Sequence, residues 1–303
     1  MSDFLMVTDL GNDGLKAVLE TAKAVKDHSE GVAESRTGMK VGLFFQKPST
    51  RTRVSCEAAC VDVAAHPLVL KQEEVGLGKR EAVKDVARTL DRYLDVFAFR
   101  VFHHSDLVEL AEHADAPVIN LLSDRSHPCQ ALADLQTIAE HKPLSGTSVT
   151  YVGDGNNVAH SLMLAGAMAG MHVRVACPPG YEPAADITEE ATAIAASTGG
   201  SIIVGHDPLD LVAGVDVVYT DVWASMGQEG EAEERKALFA PFQVTLDMFG
   251  RAADDAIFMH CLPAHRDEEV TDDVMEHPRS RVFDQAENRM HAFKALLLHL
   301  TSD

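Results

Sequence analysis

The sequence predicts an α/β protein of two domains, and three observations predict it. Short β-rich runs alternate with helical segments along the whole chain. The runs are almost continuously apolar, which suits parallel strands covered by helices on both faces. One break near the middle, "EHKPLSGTSVTYVGD", stops a helix and starts a fresh strand. Strand, helix, strand repeated in this way gives mostly parallel sheets flanked by helices, with right-handed crossovers.

Nine runs read as strands: VGLFFQ (41–46), PLVLK (67–71), DVFAFRVF (95–102), APVINLLS (116–123), SVTYVG (148–153), HVRVAC (172–177), SIIVG (201–205), VDVVYTDVW (215–223) and AIFMHCL (256–262). Between them, Thr52 to Ala64, Ala82 to Tyr93, Gln130 to His141 and Val158 to Ala169 read as helices, with a last one from Asp284 to Leu300. Lys142-Pro143 cannot continue the helix that ends near His141, because proline lacks the amide hydrogen and clashes with the turn before it. Domains are therefore expected at 1–142 and 146–283, followed by a helical segment at 284–303. The run GQEGEAEERK (227–236) reads as a solvated loop and the start of a helix.

Composition narrows the function classes. A chain of 303 residues is long enough for two cores of ordinary size. Hydrophobic residues at 46% and charged residues at 24% fit a soluble globular protein. With 47 acids against 26 bases and a formal net charge of -21, nucleic acid is an unexpected partner, since its phosphates would be repelled. Acidity of this degree resembles proteins of high-salt cytoplasms, where repulsion is screened within roughly 3 Å at molar salt. The N-terminal MSDFLMVTDLGND lacks a basic region followed by an apolar core, so no secretory signal is read there. No stretch approaches the roughly 20 apolar residues of a membrane helix. A cytoplasmic protein without membrane contact is expected. The five cysteines, 56, 60, 129, 177 and 261, are odd in number and form no Cys-x-x-Cys. Neither a disulfide framework nor a structural zinc site is expected.

One short stretch stands apart from this acidity. From Ser35 to Cys56 there is no Asp or Glu, yet Arg36, Lys40, Lys47, Arg51 and Arg53 are present. In FFQKPSTRTRVSCE (44–57) a buried strand ends at Gln46, Pro48 turns the chain, and a helix begins near Thr50 or Arg51. Ser49 and Thr50 are good N-cap residues. Such a strand-to-helix turn offers backbone N–H groups and the positive end of a helix dipole, which together bind anions. Hydroxyls of Ser49, Thr50 and Thr52 add donors, and Arg51 can grip a phosphate with two of its N–H groups. Arg53, roughly 200° further round the helix, faces elsewhere. No Walker P-loop is present. GDGNN (153–157) carries part of a dinucleotide fingerprint but lacks its third glycine.

Five ordered motifs resemble the ornithine carbamoyltransferases over nearly the whole chain. They are STRTR (49–53), HPCQALADLQTI (127–138), DVWASMGQE (221–229), HCLPAHRDEEV (260–270) and ENRMHA (287–292). STRTR and His-Pro-x-Gln mark the wider carbamoyltransferase family, and Asp-Val-Trp-x-Ser-Met-Gly and His-Cys-Leu-Pro mark its ornithine branch. The resemblance implies that carbamoyl phosphate and L-ornithine give L-citrulline and phosphate, in a cleft between the two domains and without metal or organic cofactor. It implies that Ser49, Thr50, Arg51 and Thr52 hold the phosphate, and that Arg100, His127 and Gln130 contact the phosphate and carbamoyl group. Asn157, Asp221, Ser225 and Met226 match the ornithine-binding set, Cys261 and Leu262 lie beside the reacting amine, and Arg289 reaches the site from the last helix. Arg100, His127, Asp221 and Cys261 would carry the chemistry. The resemblance further implies a homotrimer or a multiple of one, with the final helix packed back on the first domain.

The chain departs from the family pattern in three places. Gly76-Leu77-Gly78 stands where Gln-Leu-Gly is usual, so that Lys79 or Arg80 would have to replace a glutamine contact. Asp267 stands for the usual glycine after His265-Arg266, and Cys56 for a frequent phenylalanine. Three other readings stay open on the residues alone: a carbamoyltransferase for another amine such as putrescine, a nucleotide-binding oxidoreductase built on GDGNN, and a non-catalytic binding protein.

Overall fold

The computed structural model describes residues 3–28, 35–224 and 232–302. The nine expected strands are all present, as β1 (Lys40–Phe45), β2 (His66–Lys71), β3 (Val96–Arg100), β4 (Val118–Leu122), β5 (Ser148–Val152), β6 (His172–Ala176), β7 (Ser201–Gly205), β8 (Val217–Thr220) and β9 (Ile257–His260). The helices are α1 (Gly11–Lys26), α2 (Thr50–Asp62), α3 (Gln72–Val75), α4 (Val83–Leu90), α5 (His104–His113), α6 (Pro128–Ala139), α7 (Asn157–Met168), α8 (Ala185–Thr198), α9 (Pro208–Val212), α10 (Ala232–Phe239), α11 (Leu246–Phe249), α12 (Asp272–Met275) and α13 (Val282–Leu300). The last helix begins two residues before its expected start at Asp284. Among the described residues no helix is long and apolar enough to cross a membrane.

Two compact units divide the chain: residues 1–136 with 287–303, and residues 137–286. The first unit is a four-stranded parallel sheet in the order β2-β1-β3-β4. Val41, Leu43, Phe44, Val96, Phe97 and Phe99 are fully buried, which explains the unbroken apolar runs: both faces of the central strands are covered. Edge strand β2 is only half-buried. The second unit is a five-stranded parallel sheet in the order β7-β6-β5-β8-β9. Its core includes Val152, Val218, Phe249 and Phe258.

Both strand orders contain one point where the winding reverses. In the first unit it falls between β1 and β3, and in the second between β5 and β8. Open parallel sheets bind ligands outside the carboxyl ends of the strands at such a point, because the loops there diverge and leave a crevice. In the first unit these ends lead to the stretch 46–50 and to Arg100; in the second, to the stretch 153–157 and to Asp221. The pairing shifts between Phe99 and Arg100, where Arg100 faces Leu122, and an irregularity of this kind re-aims the side chain at a strand end.

Candidate active site

In the first unit, α2 begins at Thr50 with Ser49 at the N-cap position in extended conformation. The structure corrects the capping expectation. The Ser49 side chain makes no cap bond to the helix; its hydroxyl donates to Thr52 Oγ1 at 3.0 Å. The first intrahelical bond runs from Arg53 N–H to the Ser49 carbonyl, 3.1 Å, so the amides of Thr50, Arg51 and Thr52 lie ahead of the ladder. No acidic residue occupies the first turn. Arg51 is half-buried at the second helical position, while Arg53 is turned to solvent and paired with Glu57 at 2.8 Å.

Four further residues converge on this helix start. Arg100 Nη1 donates to Ser49 Oγ at 3.4 Å. Arg289, from α13, donates through Nη2 to Thr52 Oγ1 at 2.9 Å. Its Nη1 lies 3.3 Å from His127 Nε2 and also donates to Gln130 Oε1. Gln130 in turn donates through Nε2 to Asp134 at 2.8 Å, which fixes its amide orientation. Thr52 thus accepts from two donors and keeps its own proton for a further acceptor.

A guanidinium can only donate, so His127 Nε2 accepts from Arg289 and Nδ1 carries the ring proton. Burial pushes the His127 pKa well below its ordinary value, and the Arg289 and Arg100 cations push it the same way. The imidazole is neutral, and its Nδ1–H is a donor. Two buried thiols lie near: burial pushes Cys129 up to about 12 and Cys56 well above its ordinary value. Both act as packing, as does Cys60, raised to about 12 chiefly by burial.

In the second unit, Asp221 follows β8 and is buried. Its Oδ1 accepts from Cys261 Sγ–H at 3.0 Å and from Val222 N–H at 2.8 Å. Its Oδ2 accepts from Asn156 Nδ2 at 3.2 Å. Asn157 is half-buried in the first turn of α7, and Ser161 Oγ donates to its carbonyl at 2.9 Å. Leu262 packs against the core of this unit, and its N–H donates to His260 Nδ1 at 2.9 Å. Ser225 and Met226 lie outside the described residues.

Asp221, His260 and Cys261 bring three metal-ligating atoms close together. His260 has neither ring nitrogen to spare: Nδ1 accepts from Leu262, and Nε2 donates to Glu269 Oε1 at 3.1 Å. Glu269 also takes the His265 N–H at 2.6 Å, so this pair serves to hold the turn after Cys261.

Several supporting residues escape sequence reasoning. Asn156, next to the predicted Asn157, caps α7 with its side-chain oxygen, accepting from Val158 and Ala159 N–H. GDGNN could have revealed it as an N-cap after a strand, but its amide partner Asp221 stands 65 residues away. Gly155 has no room for a side chain: a Cβ would meet the Pro183 nitrogen at 2.2 Å, so this glycine serves the close approach of the 181–183 backbone. Of the run 227–236, expected as a solvated loop and a helix start, residues 227–231 lie outside the described residues. The helix begins as α10 at Ala232, and the solvated reading fails at Arg235. This residue is buried, donating to Asp154 Oδ2 at 2.8 Å and to the Trp223 carbonyl at 2.9 Å, over the Tyr181 ring at 4.8 Å. At the departure in 76–80, Arg80 donates to the Glu74 carbonyl at 2.6 Å and closes its own loop. Gly76 there has a left-handed φ of 68° and a Cβ position 2.6 Å from Arg80 Cβ, so a glutamine would be strained.

The chain matches two known domains in this order. Residues 2–140 match "Aspartate/ornithine carbamoyltransferase, carbamoyl-P binding domain", and residues 145–300 match "Aspartate/ornithine carbamoyltransferase, Asp/Orn binding domain". The chain belongs to the aspartate/ornithine carbamoyltransferase family. Within it, the "Ornithine carbamoyltransferase, anabolic" of Pyrococcus furiosus is 52% identical over 298 residues, 97% of this chain and 95% of that protein. The ornithine carbamoyltransferase of Methanothermobacter thermautotrophicus is 49% identical over 305 residues, covering 100% of both. The solved ornithine carbamoyltransferase of Pyrococcus furiosus superposes with a TM-score of 0.94 at 52% identity, over 98% of this chain and 96% of that one. That of Thermus thermophilus gives 0.89 at 42% identity, over 99% of each.

Proposed function

We infer that this chain transfers the carbamoyl group of carbamoyl phosphate to the side-chain amine of L-ornithine, giving L-citrulline and phosphate. The observation that carries the reading is the cradle at the start of α2. Two hydroxyls, two guanidiniums and a helix N-terminus without acids fit a phosphate dianion and no cation.

The chemistry follows from the residue types. Ser49, Thr50, Arg51 and Thr52 hold the phosphate, with Arg100 and Arg289 adding charge. The ornithine δ-ammonium gives a proton to solvent, and the neutral amine attacks the carbamoyl carbon. The bond from that carbon to the bridging oxygen breaks, and the excess proton on nitrogen leaves with phosphate. Arg100, the Thr52 hydroxyl and the His127 Nδ1–H stabilise charge on the carbonyl oxygen as it develops; such a donor contributes roughly 3 kcal/mol in comparable sites. Gln130 orients the carbamoyl group through its fixed amide. In the second unit Asp221 receives an ornithine ammonium, Asn157, Ser225, Met226 and Leu262 complete the amino-acid site, and Cys261 orients the attacking amine. No cofactor is required, because carbamoyl phosphate is already activated.

The name of the Pyrococcus furiosus relative as anabolic supports the citrulline-forming direction in arginine metabolism. We take residues 1–142 as the carbamoyl-phosphate domain, 146–283 as the ornithine domain, and 284–303 as a helix belonging with the former. The working form is taken as a cytoplasmic homotrimer or a multiple of one, which sedimentation checks. Citrulline formation measured with ornithine, putrescine and aspartate side by side, at low and at molar salt, tests the substrate. Turnover of ornithine well above the other two is expected; no product from ornithine would sink the assignment.

A further inference from the structure

We propose that Asn156 is a positioning residue for the amino-acid substrate: it sets the Asp221 carboxylate to receive an ornithine ammonium group. This rests on the reading of the second unit as the ornithine site. The amide has only one orientation that satisfies its neighbours. Asn156 Oδ1 accepts from Val158 N–H at 2.9 Å, Ala159 N–H at 3.3 Å and the Tyr151 hydroxyl at 3.3 Å. Nδ2 therefore faces Asp221 Oδ2, 3.2 Å away, an acceptor that needs a donor. Burial, with Asp221 and other acids beside it, pushes the Tyr151 pKa well above its ordinary value, so that hydroxyl keeps its proton and donates.

The arrangement ties Asp221 to rigid elements. Tyr151 lies in β5 and stacks on Tyr219 of β8, ring centres 5.6 Å apart. The Tyr219 hydroxyl accepts from Gln285 Nε2 at 3.0 Å, and Gln285 Oε1 accepts from His260 N–H at 2.9 Å. Asn156 is anchored in this frame by the α7 N-terminus. With Cys261 and Val222 donating to Oδ1, the Asn156 amide is the third donor that holds the carboxylate plane. A carboxylate held by three donors keeps its direction for an arriving cation, whereas a loosely held one must be oriented during binding.

Two substitutions separate this role from helix capping, because serine and aspartate cap as well as asparagine. Asn156→Ser keeps a capping oxygen and loses the donor to Asp221. It is expected to melt within a few degrees of the wild type, to raise the KM for ornithine about tenfold, the equivalent of one lost hydrogen bond to a charged group, and to leave the KM for carbamoyl phosphate within about twofold. Asn156→Asp places a second carboxyl beside Asp221, and two carboxyls this close share one proton. At low pH the introduced carboxyl is protonated and donates as the amide does. Its ornithine KM is therefore expected to approach the wild-type value at acidic pH and to depart from it as pH rises, a step absent from the wild-type profile. An unchanged ornithine KM in Asn156→Ser, or a superimposable pH profile in Asn156→Asp, overturns the proposal, and so does loss of the folded state in both. A wild type that makes no citrulline overturns the substrate reading instead, and this proposal with it.

Discussion

Arg289 and Thr52 stand 237 positions apart in the sequence, and their side chains meet at 2.9 Å through Nη2 and Oγ1. The guanidinium spreads its remaining bonds to His127 and Gln130, so one planar fork holds three side chains of the proposed binding set. A lysine supplies the charge but a single point of contact. Arg289→Lys is expected to raise the KM for carbamoyl phosphate by about tenfold or more, in the range of a lost charge-assisted hydrogen bond. Kinetics with each substrate varied in turn check it; an unchanged KM removes Arg289 from the binding set.

The neutral His127 gives the protein an acid-sensitive stability. Its folded pKa lies well below its ordinary value, so under acid the unfolded chain binds a proton that the folded chain refuses. Stability from this group is full above about pH 6.5, the unfolded value, and falls as pH drops toward the folded pKa, by up to about 1.4 kcal/mol per pH unit. His104 and His291 are lowered as well, chiefly by burial, and contribute in the same direction. Denaturant unfolding of wild type and His127→Gln between pH 5 and 8 is expected to show a shallower acid slope in the variant.

Asp221 and the α2 cradle belong to different units, so their roles separate. Asp221→Asn removes the charge proposed to meet the ornithine ammonium and leaves the cradle intact. Citrulline formation is expected to fall by at least about 10²-fold, as for a lost electrostatic stabiliser. Saturating carbamoyl phosphate, at about 100 times its Kd, is still expected to stabilise the variant by about 2.7 kcal/mol. A thermal-shift titration reads that gain. Its loss would show that Asp221 also governs the first substrate.

The crowded Gly155 predicts a stability effect at the same site. In Gly155→Ala the new methyl meets the Pro183 nitrogen at 2.2 Å, the Glu182 carbonyl carbon at 2.4 Å and the Tyr181 oxygen at 2.6 Å. These are backbone atoms with no rotamer to escape into. A loss of about 1–3 kcal/mol is expected, read as a lower denaturant midpoint at an unchanged slope.

The buried pair of Arg235 and Asp154 is costly to break from one side. Arg235→Met removes the cation and strands the carboxylate, at an expected cost of about 3–5 kcal/mol. The double variant with Asp154→Leu is expected to recover much of that loss. A single variant as stable as the wild type would mean that water reaches Asp154.

The strands were legible because burial on both faces writes an unbroken apolar run, which needs no knowledge of neighbours. All nine runs became strands, and α2 starts at Thr50 inside the basic stretch that carries no acid from Ser35 to Cys56. The departure at Gly76 was legible as a missing glutamine, though not as a turn whose left-handed backbone and close Arg80 disfavour any side chain. The reading of 227–236 as solvated failed at Arg235 because a charged residue is buried only when its partners are brought to it, and Asp154 lies 81 residues away.

By itself, the sequence determined the α/β class, the strand inventory, the basic strand-to-helix turn at 46–50 and the motif order that points to carbamoyl transfer. These depend on residue type and local spacing, which sequence contains in full. Only the tertiary structure decided that Thr52 accepts from Arg289, that His127 carries its proton on Nδ1, and that Asn156 grips Asp221. Each of these depends on which distant donor a side chain meets, and the winding of the two sheets sets those meetings by bringing the ends of β1 and β3, and of β5 and β8, side by side.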